Sequence, residues 1–236
     1  MASRDSLEIR KLLSRGTVVY KSTDTSVALR LRYVGTGTVT SVTSVTATGV
    51  TAITSDGGTD AYTFAAYTTM GALADAINAD GIFEARVLDV LRSAASDDAI
   101  LAEAITTPTY DENGNAVYDL KVDTSGMFYV GACLSTARGF DSNSDGHRVS
   151  LQEINYVANM GTAAADGLKV YSRNIKTGAE SLVYAGLSVD TTATTVNFAN
   201  GVGMITSRDG EELIVLIKDA ASMAGGAYMR LVGILE

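Results

Sequence analysis

The sequence predicts an α+β fold, predominantly antiparallel β: a β-sandwich with a small β-β-α-β module and a short N-terminal helix. Three observations carry that expectation. Short segments with apolar residues at every second position recur along the chain, the pattern of strands with one dry and one wet face. Turn dipeptides such as Asn113-Gly114, Thr177-Gly178 and Asp209-Gly210 separate them, in a chain of 236 residues with 23 glycines and one proline. Apolar residues make up 46% and charged residues 19%, which suffices for a core and excludes general disorder.

Taken in order, Asp5-Ser6-Leu7-Glu8 reads as a capping box, Ile9, Leu12 and Leu13 as an apolar stripe, and Gly16 as the stop of a first helix. Thr17–Tyr20 is β-branched and extended. Ser26–Val34 alternates, with Val27, Leu29, Leu31 and Tyr33 on one face and Ala28, Arg30 and Arg32 on the other. Twelve of the 34 residues from Thr36 to Thr69 are threonine, and within them Val39–Ala47 repeats with period three. That period fits neither a helix nor a flat strand, whereas a bulged strand accommodates it. Asp56-Gly57-Gly58 turns the chain and Ala61–Ala65 returns as a strand. Thr68 or Thr69 caps a helix with Met70, Leu73, Ala74 and Ile77 on one stripe and Gly81 at its end. Ile82–Leu88 alternates again, and Asp97–Ile105 reads as another short helix before Pro108.

In the second half, Ala116–Val122 is a strand and the apolar run Met127–Leu134 is expected to be a central one. Ser150-Leu151-Gln152-Glu153 reads as a second capping box, opening a helix with Leu151, Ile154, Val157 and Ala158 inward. Leu168–Tyr171, Leu182–Ala185, Thr194–Phe198, Gly203–Thr206, Glu212–Lys218 and Ala227–Leu235 then follow as strands at sandwich-like spacing. The expected organisation is residues 1–35 as an N-terminal helical arm and first strands, 36–108 as a Thr-rich β-β-α-β module, and 109–236 as an antiparallel β-sandwich domain with one helix near 150–160.

Charge is uneven. Residues 1–32 hold seven basic and three acidic side chains, net +4, against −9 for the whole chain, so the remainder carries −13. Such a segment suits docking on an acidic surface, and Arg4, Arg10, Lys11 and Arg15 are the candidate interface residues. The alternative is a solvated helix face followed by a strand whose arginines line its wet side. An acidic remainder repels phosphate, so nucleic acid is not expected as the main partner. No apolar run approaches the length of a membrane span and the N-terminus lacks a signal-peptide core, so no membrane partner is expected.

The composition also narrows the chemistry, and no enzyme activity is expected. Cys133 and His147 are the only residues of their kinds, which excludes an internal disulfide, thiolate metal clusters and any site needing two imidazoles. A nucleophile needs an oriented base, yet His147 lies in a polar stretch beside Arg148 and Cys133 lies in an apolar strand. Gly35-Thr36-Gly37 and Gly201-Val202-Gly203 lack the third glycine of a phosphate loop. A carboxylate pair is the remaining hydrolytic alternative, but tryptophan platforms are missing and the tyrosines fall at core-like positions.

One local pattern suits a metal. Asp141-Ser142-Asn143-Ser144-Asp145-Gly146 offers oxygen ligands at alternate positions before a glycine, so Asp141, Asn143 and Asp145 are candidate Ca²⁺ ligands. An EF-hand-type loop wants an apolar residue at its eighth position and a bidentate carboxylate at its twelfth, where Arg148 and Gln152 stand. An Asx-type turn leading into Ser150 explains the same residues without metal. No other cofactor is expected.

Two segments carry a resemblance. Asp56–Asn78, a strand followed by a threonine-capped Leu-Ala-Asp-Ala-Ile-Asn helix, is similar to surface modules of phage particles and of flagellar filament and hook-associated proteins. Glu211–Asp219 with Gly226–Leu235 is similar to the last hairpin of capsid-decorating sandwiches. Together they cover about 40 of the 236 residues, and with the composition they make the chain resemble a tailed-bacteriophage virion structural protein. The resemblance implies a repeated, non-catalytic homo-oligomer, a capsid decoration or cement protein bound to its own copies and to the major capsid protein. It also implies residence in the virion after assembly in the host cytoplasm, and it carries over no site residue. Other virion parts (tail tube, neck, fibre or baseplate) and a bacterial surface-filament or carbohydrate-binding module are the alternatives.

Overall fold

A computed structural model describes residues 18–22, 26–45, 48–55, 58–123, 129–134, 149–157, 164–189, 194–197, 205–218 and 228–235. The expected helix over residues 5–16 lies outside them. Within the described residues the chain is mostly antiparallel β, in four sheets. It divides into two compact units, Val27–Gly126 and a second that joins the first strand to Met127–Glu236.

In the first unit, one sheet has the order β6-β2-β9-β8: β2 is Val27–Tyr33, β6 Phe83–Val87, β8 Thr109–Tyr110 and β9 Ala116–Lys121. Period two works here as expected. Leu29, Leu31 and Tyr33 are buried and stand opposite Val87, Ala85 and Phe83, while Arg30 and Arg32 take the other face. Helix α1 (Met70–Asp80) packs on β6. The Thr69 hydroxyl caps it by accepting from the Ala72 N–H at 3.2 Å, Met70, Leu73, Ala74 and Ile77 form its buried stripe, and Gly81 ends it at φ 73°. Near its C-terminus, Asn78 reaches to the edge strand β6. Its amide donates to the Ala85 carbonyl at 3.0 Å, and its carbonyl accepts from the Ala85 N–H at 2.8 Å. The side chain thus takes the place of a neighbouring strand on that edge.

The other sheet of this unit has the order β5-β4-β3-β7: β3 is Val39–Val45, β4 Gly49–Thr54, β5 Thr59–Tyr62 and β7 Ala104–Ile105. The period-three stretch is a bulged strand, with the register of β3 on β4 shifting between Val39 and Ser41. Gly49 sits at φ 129°, where a Cβ would lie 1.9 Å from the Tyr62 carbonyl oxygen, so only glycine lets β4 run this close to β5.

Three expectations for this half are corrected. The short helix near 97–105 is only α2, Ser96–Ala99; Ile100 then bridges Val122 and β7 pairs with β3, so strand pairing takes the rest. The module over 36–108 is not self-contained, because β6 pairs with β2 rather than with β3–β5. For the same reason the boundaries expected at 35/36 and 108/109 fall inside one compact unit, with β2 bridging β6 and β9.

The second unit holds two further sheets. One has the order β1-β17-β11-β14, with β15 also on β11: β1 is Val18–Ser22, β11 Val149–Val157, β14 Thr194–Asn197, β15 Ile205–Thr206 and β17 Tyr228–Leu235. The helix expected near 150–160 is therefore the strand β11. The cause is a bulge: its register on β17 shifts between Leu151 and Glu153, so buried Leu151 and Ile154 fall three apart and mimic a helical stripe. The Ser150 hydroxyl lies 2.8 Å from that of Thr206 across the sheet instead of capping a helix.

The other sheet has the order β10-β16-β12-β13: β10 is Tyr129–Leu134, β12 Ala164–Asn174, β13 Glu180–Val189 and β16 Glu211–Lys218. The apolar strand β10, expected to be central, pairs with β16 alone among the described residues; β16 and β12 are the inner strands. Leu168, Val170, Leu213, Ile214 and Val215 form the dry part of this sheet.

Candidate interaction surface

The sheet β10-β16-β12-β13 carries a row of charge across its strands. In register, Glu212 of β16 faces Arg173 of β12, and Arg173 faces Glu180 of β13. The Arg173 Nε and Nη2 both reach Glu212 Oε1 at 2.6 Å, and Nη1 lies 3.5 Å from Glu180 Oε1. The Arg173 and Glu212 side chains are 3% and 1% exposed and that of Glu180 is 12% exposed, so the row is sealed at its inner end. Burial alone pulls the Arg173 guanidinium down, but Glu212, with Cys133 and Glu180, outweighs it and holds the group above its ordinary value. Cys133 is buried, its sulfur 3.9 Å from Arg173 Nη2. Two carboxylates thus share one guanidinium.

That row ends on β13, an outer strand among the described residues. Glu180 opposite Arg173 keeps its start in line. Beyond it, Ser181, Leu182, Val183, Ala185 and Gly186 are all exposed. Five large apolar side chains among the described residues stand well out in water: Val34, Ile53, Tyr110, Leu182 and Val183. Leu182 and Val183, at 51% and 47%, are the one adjacent pair. A bulge explains why neighbours in a strand are presented together. Val170 pairs with Tyr184 and Tyr171 with Leu182, leaving Val183 as an extra residue opposite Tyr171. A second shift at Gly186, φ 129°, breaks the regular edge again. Burial raises the pKa of the neighbouring Tyr184 hydroxyl.

The first unit uses its charges differently. Arg30 grips Asp119 with two 2.6 Å bonds, while Arg32 binds Glu84 (Nε to Oε2, 2.9 Å) and Asp111 (Nη1 to Oδ2, 3.2 Å). Two of the seven basic residues counted in the leading segment thus belong to ion pairs within a sheet face. Asp111 also organises the turn before β9, accepting from the Asn113 and Asn115 N–H groups and from the Asn115 amide. Burial pushes its carboxyl up, but these bonds and Arg32 outweigh it and hold the pKa below the usual aspartate value.

Of the residues the sequence singles out, Asp141, Asn143 and Asp145 and the basic Arg4, Arg10, Lys11 and Arg15 lie outside the described residues. Among the described residues, no three His, Cys, Asp or Glu side chains are grouped to hold a metal ion, and no helix is long and apolar enough to cross a membrane. Sequence reading missed the Glu212–Arg173–Glu180 row and the exposure of Leu182 and Val183. The row has a signal only in register, which needs the strand pairing. The patch has one in Leu182-Val183, consecutive apolar residues where a half-buried strand alternates. No family model, no curated protein and no solved structure matches the chain.

Proposed function

We propose that the chain is a non-catalytic structural subunit of a tailed-bacteriophage particle, a head decoration or cement protein that binds the capsid surface and its own copies. In this reading the two sheets of the second unit stack as a sandwich, and the protein assembles in the host cytoplasm and resides in the virion. The observation that supports it best is the outer strand β13, where Leu182 and Val183 stand exposed side by side. Exposed edges and adjacent apolar side chains are surfaces that other proteins cover. The arginines of β2 are engaged within their own sheet, which suits a scaffold more than a reactive cleft.

The test is direct localisation. Antibodies against the purified chain, applied to virions of the source phage, are expected to label the head surface in many copies by electron microscopy. Peptide mass spectrometry of the same particles should find the chain at a fixed multiple relative to the capsid protein. Particles without label and without its peptides would overturn the reading.

A further inference from the structure

We infer that Asn113 is a self-modification site: its side-chain amide condenses with the Gly114 nitrogen, and the asparagine becomes aspartate or isoaspartate without an enzyme. Six asparagines lie among the described residues. Asn113 differs from the other five in two ways at once: glycine follows it, and its side chain takes no hydrogen bond among the described residues. The others are restrained. The Asn78 amide and carbonyl both hold Ala85, Asn115 Nδ2 donates to Asp111 at 3.0 Å, and the Asn174 side-chain carbonyl accepts from the Lys176 and Thr177 N–H groups. Asn155 and Asn197 stand in the ladder of β11 and β14 and precede Tyr156 and Phe198 in the sequence. A bonded side chain, a fixed strand backbone or a bulky next residue each keeps the carboxamide carbon from the following amide nitrogen.

The turn supplies the rest. The Gly114 N–H donates to the Asp111 carbonyl at 3.1 Å and the Asp111 N–H to the Asn115 carbonyl at 3.0 Å, with Gly114 at φ 82°. Glu112, Asn113 and Gly114 are exposed at the tip, so water reaches them. One backbone bond at an exposed tip opens readily in local fluctuation, and opening it frees the Gly114 nitrogen, which no Cβ shields. Asp111 sets how often that happens, because its carboxylate also holds the N–H groups of Asn113 and Asn115.

In the step itself the Gly114 nitrogen attacks Cγ of Asn113. A C–N bond forms, the bond from Cγ to Nδ2 breaks, and ammonia leaves with the hydrogen that the Gly114 amide gives up. Water then opens the cyclic succinimide. Addition at the side-chain carbonyl gives aspartate; addition at the main-chain carbonyl gives isoaspartate, whose backbone is one carbon longer. Both products add a carboxylate beside Asp111 and Glu112. Isoaspartate does more. Asp111 Oδ1 accepts from the N–H groups of residues 113 and 115 at 2.9 and 2.8 Å, a fit that an extra backbone carbon breaks. The tip of the β8–β9 hairpin therefore loosens as the protein ages.

The test is ageing of the purified full chain in mildly alkaline buffer, followed by peptide mass spectrometry and isoaspartyl methyltransferase labelling. Residue 113 is expected to convert about tenfold or more faster than any of the other five, since each of those must first give up a bond or a place in a ladder. Asn200-Gly201, which lies outside the described residues, is read in its own peptide and kept out of the comparison. Asn113→Gln should abolish labelling of the 113 peptide, and Asp111→Ala should speed conversion because the turn opens more often, with circular dichroism to check folding. Amide exchange at Asn115 should be faster in the aged wild type, while a fresh Asn113→Asp chain keeps the protection of fresh wild type. Conversion of residue 113 no faster than that of Asn78 or Asn174 overturns the site. An unchanged rate in folded Asp111→Ala overturns the gating by Asp111. Isoaspartate at residue 113 with Asn115 as protected as before overturns the loosening of the turn.

Discussion

Replacing Arg173 by methionine is expected to cost the second unit about 3–5 kcal/mol, the range for breaking a buried ion pair by removing one partner. The geometry sets this scale. Glu212 is 1% exposed, and its Oε1 accepts both Nε and Nη2 of Arg173 at 2.6 Å. Without the guanidinium an ionised carboxylate is left sealed from water, and Glu180 loses its 3.5 Å partner. Methionine fills much of the volume, so the loss reports charge more than cavity. For a chain of this size, at roughly 2–4 °C per kcal/mol, the melting midpoint should fall by about 6–20 °C. Urea unfolding by circular dichroism measures the free energy and calorimetry the midpoint. Acidification should narrow the gap, since protonation removes the charge that the buried Glu212 carboxylate carries after its Arg173 bonds are lost. The double variant Arg173→Met/Glu212→Leu should recover most of the loss, because a buried ion pair contributes little against an apolar replacement. A single variant within 1 kcal/mol of wild type, or a double variant no better than the single, would refute this account.

Three other outcomes are expected from the first unit. Asn78→Leu removes both bonds to Ala85 and should cost about 1–3 kcal/mol by urea unfolding. Gly49→Ala should destabilise by about 2 kcal/mol or more and expose the β4–β5 amides to hydrogen exchange, since its Cβ would lie 1.9 Å from the Tyr62 oxygen at φ 129°. The Asp111 carboxyl has a lowered pKa when folded, so its contribution is complete above about pH 4 and disappears as the pH falls through the folded-state value. Asp111→Asn should therefore flatten the acid limb of the stability profile below about pH 4, and an unchanged limb would show that other carboxylates dominate it.

Much of the first unit is legible in the sequence because local and tertiary preferences agree there. Thr69, the Met70–Ile77 stripe and Gly81 specify a helix by capping, period and stop, and the structure has one between them. The odd spacing of Val39, Val42 and Val45 announces a bulge, which is found. The misreading at Ser150–Glu153 comes from the same device seen from the other side. One extra residue, Gln152, turns the two-residue period of β11 into a three-residue gap that looks helical. The strand order is not legible at all. The run Met127–Leu134 is apolar enough for an inner strand, yet β10 pairs only with β16 among the described residues, because hydrophobicity reports burial of faces and not which edges are paired. The charged row is invisible for a similar reason, since Arg173, Glu180 and Glu212 meet only through register.

A carboxamide standing where another strand would stand makes β6 a terminus. The opposite edge of that sheet, β8, is two residues long, and the edges of the companion sheet, β5 and β7, are four and two. Strands so short are poor templates for pairing with another chain, so the described edges of the Val27–Gly126 unit are guarded against strand addition. The hairpin tip at Asn113-Gly114, anchored from below by Asp111, is where an inserted peptide would sit with least disturbance to the fold of this unit.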